Sequence, residues 1–517
     1  MSFALPFRLP SSRNAPLVYA AVGLMLTAVA ISSFRRKPRP WPVDEVPIAF
    51  WAWRIQAPSE ADVRDAMEKT GARTIFLRAG QIDYQDGKVR RIRPVAGPLP
   101  KEIDLHLVYN ATRSLLAQLE TVDEKALANE IAEAFQDDTK HAGPEQAHVV
   151  GLQIDIDVPT RLLGRYERIL RALRARLKPG TQLSITGLPT WLQSAQLRST
   201  LTHVDFWIPQ FYGAEIPERS DQPIPISSAK DVERFVNDAR ALNKPFYAGL
   251  AAYSCALLYN SSGSLISLRG DMDPAAISSD PNLELIDQRS FETARAGSEW
   301  RYAYRARADG VIDGLAMHAG DQLVVGVPSA ESLRLATRIV RDLAGEKLLG
   351  ICVFRIPARD DPATLTLAQI VAALSDSDSN PDIKIRFKRD EDSQAHAWLL
   401  EVENKGTASA VGGLQIDVPV DAGTIQSVTP ERGASFETIC HVLDGNDSPV
   451  YQACGQARAN LIRITAPGLR PGQTLKAMIV FTNSRPAVVP ASVDTQTDTG
   501  QPYHDRLEVI IKVGVKR

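Results

Sequence analysis

The feature that most constrains the fold is a regular alternation of short apolar strands and helices from Val46 to Leu374. Parallel strands need long crossover connections, and a helix after most of these strands supplies them. Eight strand–helix units in about 330 residues predict an α/β fold, a (β/α)8 TIM-type barrel. The alternative is a doubly wound open sheet, which would need a glycine-rich nucleotide-binding turn that the sequence lacks. The strands are predicted at residues 46–53, 73–79, 105–109, 148–157, 182–188, 204–212, 246–253 and 348–355.

Two segments depart from this repeat. About 75 residues separate the seventh strand from the next predicted helix, and a long connection of this kind is usually functional. We therefore predict an insertion after strand 7, with a hairpin formed by residues 311–317 and 322–327. After a polar linker at residues 375–381, short alternating strands predict a C-terminal all-β, sandwich-like domain. The predicted division is 1–45 as anchor and tether, 46–374 as barrel, and 382–517 as accessory domain.

The N-terminus contains an uncharged apolar run from Ala15 to Phe34. Its length of about 20 residues matches a transmembrane helix, and we predict an uncleaved single-pass anchor at residues 17–34. A cleaved signal peptide ending near Ala30 is the alternative. The basic cluster at residues 35–39 follows directly, which is unusual for a secreted start, and the positive-inside bias would place it in the cytoplasm.

The cysteines favour export over that bias. Cys440 and Cys454 flank a short turn-rich segment and are predicted to form a disulfide, which suits an oxidising compartment. Two unpaired thiols are the alternative. We therefore predict a protein of the inner membrane whose barrel and sandwich lie in the periplasm. The net charge of −2, with no basic stripe, argues against a nucleic-acid partner, and the scattered histidines predict neither a metal site nor a cofactor.

The fourth strand ends in two carboxylates. Alternate strand residues face one side, so Gln153, Asp155 and Asp157 are predicted to line the same face. Neighbouring carboxylates on an apolar strand raise one another's pKa, and this is how a fold keeps a general acid protonated near neutral pH. The alternative is structural, with these residues capping the next helix or pairing with Arg161 or Arg165.

Most of Val46 to Arg355 resembles an uncharacterised bacterial family of glycoside-hydrolase-like barrels, the DUF3142 type. A few residues are also similar to the family 18, chitinase-type glycoside hydrolases. In the family 18 strand-four motif Asp-x-x-Asp-x-Asp-x-Glu, the four acidic positions fall on Val150, Gln153, Asp155 and Asp157. The resemblance implies that Asp157 is the general acid and that Asp155 orients or tunes it. The sixth-strand segment Gln210-Phe-Tyr-Gly213 is similar to the family's Met-x-Tyr-Asp, which implies that Tyr212 and Gln210 steady the reacting sugar.

Aromatic residues at several strand ends suit a sugar-binding cleft. Trp51, Trp53 and Tyr253, together with Gln153, are predicted to bind the substrate, a polysaccharide or oligosaccharide. The alternative for any one ring is core packing. Three functions remain open: a membrane-anchored glycosidase acting on an envelope or extracellular polysaccharide, a non-catalytic glycan-binding or scaffold protein on a degenerate barrel, and a cytoplasm-facing barrel enzyme of another class.

Overall fold

The computed structural model describes residues 39–512 except 143–146, 214–215, 223–227, 293–297, 328, 359–360, 362, 390–395, 432–433, 444–448, 467, 483–485, 487–489 and 498–500. The strands of its first part are β1 (Ile48–Ala52), β2 (Thr74–Gln85), β3 (Lys88–Ile92), β4 (Asp104–Ala111), β5 (His148–Asp155), β6 (Gln182–Gly187), β7 (Phe206–Pro209), β8 (Phe246–Ala251), β9 (Cys255–Tyr259), β10 (Leu265–Arg269), β11 (Leu283–Glu292), β12 (Ser298–Ala306), β13 (Gly310–Ile312), β14 (Leu315–Met317), β15 (Gln322–Val327) and β16 (Leu348–Phe354).

Eight parallel strands close into a barrel, in the order β1-β16-β8-β7-β6-β5-β4-β2, with β1 also paired to β2. The predicted TIM-type barrel is therefore confirmed. The second barrel strand is longer than the others and continues into an antiparallel hairpin with β3 beyond the barrel. This hairpin rises on one side of the carboxyl-terminal end, where the strand-following loops gather.

Helices surround the barrel because their apolar stripes pack on its outer face. In the helix Leu163–Arg174, residues Leu163, Tyr166, Ile169, Leu170 and Leu173 are buried at helical spacing. The helices are α1 (Glu60–Thr70), α2 (Arg113–Ala117), α3 (Glu124–Ala142), α4 (Leu163–Arg174), α5 (Ala195–Thr200), α6 (Ala229–Ala241), α7 (Pro274–Ser279), α8 (Ala330–Leu343) and α9 (Leu367–Leu374). Helix α1 begins after Ser59, whose hydroxyl oxygen accepts a hydrogen bond from the Asp62 N–H.

Aromatic rings close the lower part of the barrel interior. The rings of Phe76 and His106 stack at 4.8 Å, and those of Phe206 and Tyr247 pack edge-on at 5.6 Å. Burial lowers the pKa of His106 to about 4, so this ring is neutral. Gly151 leaves room for it, because a Cβ atom there would lie 2.5 Å from the His106 Nδ1. The floor is thus a packed core.

The insertion follows the seventh barrel strand, β8, as predicted, but its internal pairing differs. Strands β13 and β14 pair with each other, whereas β15 lies between β9 and β12 in a five-stranded antiparallel sheet. The predicted hairpin between residues 311–317 and 322–327 is therefore wrong. The reason is the Asp313-Gly314 turn, where both residues have positive φ, as in the tight turns that close two-residue hairpins.

The C-terminal part contains two antiparallel-rich sheets that share one core. The strands are β17 (Ile383–Arg389), β18 (Ala397–Asn404), β19 (Ala410–Pro419), β20 (Ile425–Pro430), β21 (Ser435–Leu443), β22 (Pro449–Ala453), β23 (Leu461–Ala466), β24 (Thr474–Phe481), β25 (Ala491–Thr497), β26 (Pro502–Leu507) and β27 (Val509–Lys512). Their orders are β20-β24-β18-β17-β27 and β22-β21-β23-β19-β25-β26. Alternate residues of both sheets, such as Phe387 and Ile464, face each other. A disulfide joins Cys440 and Cys454, as predicted.

The fold prediction is wrong in one element, the N-terminal transmembrane helix. Among the described residues no helix is long and apolar enough to span a bilayer. The longest one, α3, has 19 residues but carries charged side chains such as Glu124 and Lys140 along its length. The segment for which the helix was predicted, residues 17–34, lies outside the described residues. The described fold therefore consists of the barrel and the further sheets.

Candidate active site at the carboxyl-terminal mouth of the barrel

Asp155 and Asp157 lie at the mouth of the barrel. Strand β5 ends at Asp155, and the chain then turns sharply at Asp157, where the Val158 N–H donates to the Ile156 carbonyl at 2.7 Å. Asp155 is half-buried and Asp157 is exposed. The strand predicted to run to residue 157 is thus two residues shorter, and the turn brings the second carboxylate out to solvent.

The protein environment favours protonation of both carboxyls. Burial, and next the charge of Asp157, raise the pKa of Asp155 to about 7, although a hydrogen bond from Thr186 opposes the shift. Partial loss of hydration also raises the pKa of Asp157, whose carboxyl is crowded by protein from below but opens to solvent. Because the two groups are coupled, they titrate as a pair. Near neutral pH the pair therefore holds a proton that it can donate.

The structure does not contain the alternative arrangement, in which the two aspartates cap the next helix or pair with Arg161 or Arg165. Arg161 pairs with Glu120 at 2.6 Å, and Arg165 pairs with Glu124 at 3.0 Å. The short helical turn that follows the pair begins after Pro159 and receives no side-chain cap. Within the described residues, neither carboxylate therefore has an arginine partner or a capping role.

Two polar residues that the sequence analysis missed support the pair. The Thr186 hydroxyl donates to the Asp155 carboxylate at 2.5 Å from the neighbouring strand β6. The hydroxyl of Tyr166 on α4 is buried and has no hydrogen-bond partner in the described part of the chain. Burial, followed by the charges of Asp155 and Asp157, raises its pKa. A tyrosine on an amphipathic stripe is ordinarily core, so only the fold shows that this hydroxyl lies near the carboxylates.

Aromatic rings line the side of the mouth formed by β1, β8 and β16. Phe354, which the sequence analysis missed, stacks with Tyr212 at 6.1 Å and packs edge-on against Tyr253 at 5.1 Å and Trp53 at 5.7 Å. Burial and the neighbouring Tyr253 raise the pKa of Tyr212 well above its usual range, so its hydroxyl stays protonated. The insertion sheet packs behind Tyr212 and Phe354 and forms a wall of the mouth.

Two predicted substrate-binding residues lie deeper. The Trp51 indole Nε1 donates to the Gln153 side-chain oxygen at 2.7 Å, and the Gln153 amide donates to Ser184 at 3.3 Å. Trp51 and Gln153 are 2% and 0% exposed, so they support the site from below rather than face the mouth. Gln210 continues β7 by a backbone bridge to Gly249 and keeps a half-buried side chain.

An arginine lies on the part of the mouth formed by β2 and β4, next to β1. Arg78 of β2 is 5% exposed, and its Nε donates to the Asn110 side-chain oxygen at 3.3 Å. Asn110 is paired in register with Asp155 on the next strand. In the part of the chain that the structure describes, no group of three His, Cys, Asp or Glu residues is placed to hold a metal ion.

Many of the residues of this site lie in a segment of the chain that matches a family model. Residues 110–284 match the family described as "Domain of unknown function (DUF3142)". The resemblance to this family predicted from the sequence is therefore confirmed. The matched segment contains Gln153, Asp155, Asp157, Tyr212 and Tyr253. It leaves out Trp51, Trp53, Arg78 and Phe354. No curated protein matches the chain.

Several solved structures align with this chain at low identity. The spore cortex-lytic enzyme SleL of Bacillus cereus is 16% identical, with 64% of this chain and 74% of that chain covered and a TM-score of 0.41. A chitinase of Chromobacterium violaceum is 14% identical, with 64% and 98% covered and a TM-score of 0.42. The C-terminal domain of a putative chitinase of Desulfitobacterium hafniense is 10% identical, with 64% and 98% covered and a TM-score of 0.43. These likenesses are distant.

Proposed function

We propose that this protein is a glycoside hydrolase that acts on a polysaccharide or oligosaccharide. The observation that carries the proposal is the coupled pair Asp155 and Asp157 at an aromatic-lined barrel mouth, with the pKa of Asp155 raised to about 7. A carboxyl that holds its proton near neutral pH is what cleavage of a glycosidic bond requires. The rings of Phe354, Tyr253 and Trp53 offer apolar surfaces against which a sugar ring can pack.

In the proposed reaction Asp157 is the acid, because its carboxyl opens to the mouth. Its proton passes to the glycosidic oxygen as the bond from that oxygen to the anomeric carbon breaks. Asp155 lies behind it, and because the charge of Asp157 raises the pKa of Asp155, the two carboxyls share the proton that Asp157 donates. Tyr212, protonated and packed on Phe354, steadies the sugar from the other side of the mouth.

The two carboxyls leave one strand two residues apart, so they approach the sugar from the same side. This arrangement suits a sugar that carries a 2-acetamido group. The acetamido oxygen bonds to the anomeric carbon as the leaving group departs, and water then opens that ring and returns its proton to Asp157. A sugar without this group would need a second carboxylate on its opposite face.

We also propose that the protein works outside the cytoplasm. The disulfide between Cys440 and Cys454 supports this compartment, because such bonds persist where the surroundings are oxidising. Envelope and extracellular polysaccharides are the substrates that such a location offers.

A second candidate function is glycan binding without catalysis. The observation that favours it is Gln153, which stands at an acidic position of the chitinase motif. Its side chain is hydrogen-bonded to Trp51 and Ser184. The shorter Asp157 at the position of the motif's Glu favours it as well. The two functions share the mouth and differ in whether Asp157 transfers a proton.

The test is turnover of defined oligosaccharides by the purified protein, with products separated by chromatography. Asp157→Asn should reduce the rate about 10²–10⁴-fold, because the group can no longer donate a proton. Asp342→Asn is the matched control, since Asp342 is exposed on the last turn of α8, outside the barrel mouth. Turnover at the parent rate by Asp157→Asn would overturn the acid assignment. Binding of a sugar without turnover in the parent protein would support the second candidate.

A further inference from the structure

Arg78 points into the barrel. Its neighbours Leu77 and Ile75 pack outward against the helices, whereas Phe76 belongs to the aromatic layer of the interior. Because side chains alternate along a strand, Arg78 stands one layer above Phe76 on the same inner face. Its backbone is in register with Val108, and its side chain reaches up to Asn110, one inward position higher. The guanidinium therefore lies at the level of Asp155, with which Asn110 is paired.

The guanidinium keeps donors without partners. Its Nε donates to Asn110, but its Nη1 is buried and has no hydrogen-bond partner among the described residues. Among the described residues no carboxylate lies within ion-pair distance of Arg78, whereas most other buried arginines, such as Arg355 and Arg341, are paired with an aspartate. Arg93, on the hairpin above, adds a second positive charge nearby.

An unpaired buried cation is costly, because it has lost its hydration and gained no counter-charge. An oxyanion that binds Nη1 would neutralise the charge of the guanidinium and accept the missing hydrogen bonds. Asp155 does not serve as that oxyanion, because among the described residues its carboxyl group accepts a hydrogen bond from Thr186 and Arg78 Nη1 has no partner.

We propose that Arg78, held by Asn110, is a specificity residue that binds a negatively charged substituent of the sugar substrate beside Asp155. The two Nη atoms present the geometry that a carboxylate or a sulfate ester accepts. The substrate class is then an acidic saccharide, either a uronic or other carboxylated sugar or a sulfated one. This inference rests on the proposed function, because it assumes that the mouth is a sugar site.

The test compares binding of three oligosaccharides of equal length to the full protein by calorimetry: one neutral, one containing glucuronate, and one containing a sugar sulfate. The parent protein should bind at least one acidic oligosaccharide about 10- to 100-fold more tightly than the neutral one, which corresponds to one or two charge-assisted hydrogen bonds. The sugar that shows the preference identifies the anion.

Variants locate the effect. Arg78→Met should remove the preference for the acidic sugar over the neutral one, while Arg78→Lys should retain part of the preference through its charge. Arg64→Met is the matched control, because Arg64 is exposed on α1, outside the barrel. If Arg78→Met does not fold, Asn110→Leu tests the same arrangement by freeing the guanidinium.

Each outcome is informative. Equal affinity of the parent protein for neutral and acidic oligosaccharides overturns the inference, and so does a preference that Arg78→Met retains. Turnover of a neutral oligosaccharide that depends on Asp157, without any effect of Arg78, leaves the proposed function standing and refutes the acidic substituent. If an acidic oligosaccharide binds in a way that depends on Arg78 but is not hydrolysed under any condition tested, the result supports the anion site and argues against the hydrolase function.

Discussion

Replacing Asp155 with asparagine should stabilise the protein at neutral and alkaline pH. The folded state holds the proton of Asp155 up to a pKa of about 7, whereas an ordinary aspartate releases it at 3.8. Folding therefore opposes ionisation, and the stability of the parent protein falls as the pH rises from about 4 to about 7 and stays low above that. Asparagine has the same shape and no such penalty, and its side-chain oxygen can still accept from Thr186.

The size of the effect follows from the difference between the two pKa values. Each unit is worth 1.36 kcal/mol, so the full penalty above pH 7 is about 4 kcal/mol. Asp155 retains some accessible surface at the mouth, which lowers the expected gain to about 2–4 kcal/mol. A gain of this size raises the unfolding temperature by about 4–8 °C.

Thermal unfolding of both proteins, followed by tryptophan fluorescence at pH 5, 6, 7 and 8, measures the gain. The advantage of Asp155→Asn should be small at pH 5 and should grow until about pH 7. Asp342→Asn, which changes an exposed aspartate, should run parallel to the parent protein throughout. An advantage that is independent of pH, or a variant that is less stable at pH 8, would refute the reasoning that burial controls this proton.

Two other features give predictions about stability. Asp376 in the linker accepts hydrogen bonds from Arg338 and from the buried Arg341, which lower its pKa; Asp376→Ala should cost about 1–3 kcal/mol in urea unfolding at pH 7, and the difference should shrink as the pH falls below about 4. The disulfide between Cys440 and Cys454 closes a segment with a sequence separation of 14; replacing both with serine should cost about 3 kcal/mol in the sandwich, and alkylation of native protein followed by mass mapping should find neither thiol free.

The barrel was predictable because its pattern is local and repeated. Each strand is a short apolar run, and each neighbouring helix carries its own stripe, so eight units could be counted without knowing any long-range contact. The insertion was harder, because its order depends on pairing between distant strands. The Asp313-Gly314 turn was the one local signal that separates residues 311–317 into a hairpin of their own, and it was overlooked.

The candidate site was predictable only along single strands. Alternation placed Asp155 on the inner face, but it also placed Gln153 there without showing that Trp51 and Ser184 take up its hydrogen bonds. Contacts of that kind cross from strand to strand, and their register is set by barrel closure. Arg78 illustrates the same limit. An arginine within an apolar strand is ordinarily expected at its exposed edge, and whether a carboxylate meets it depends on what the neighbouring strands β1 and β4 bring near it.

The aromatic floor formed by Phe76, His106, Phe206 and Tyr247 decides how a polymer could enter and leave the barrel. Because this floor is packed, the barrel interior is closed at the amino-terminal end of its strands and can be reached only from the carboxyl-terminal end. A polymer therefore cannot pass through the barrel. A long chain must either lie across the open end or insert only its terminus, and anything that is released must leave by the same end. The insertion sheet packs along one side of this opening, so for the proposed hydrolase we expect departure of the product to be the slow step.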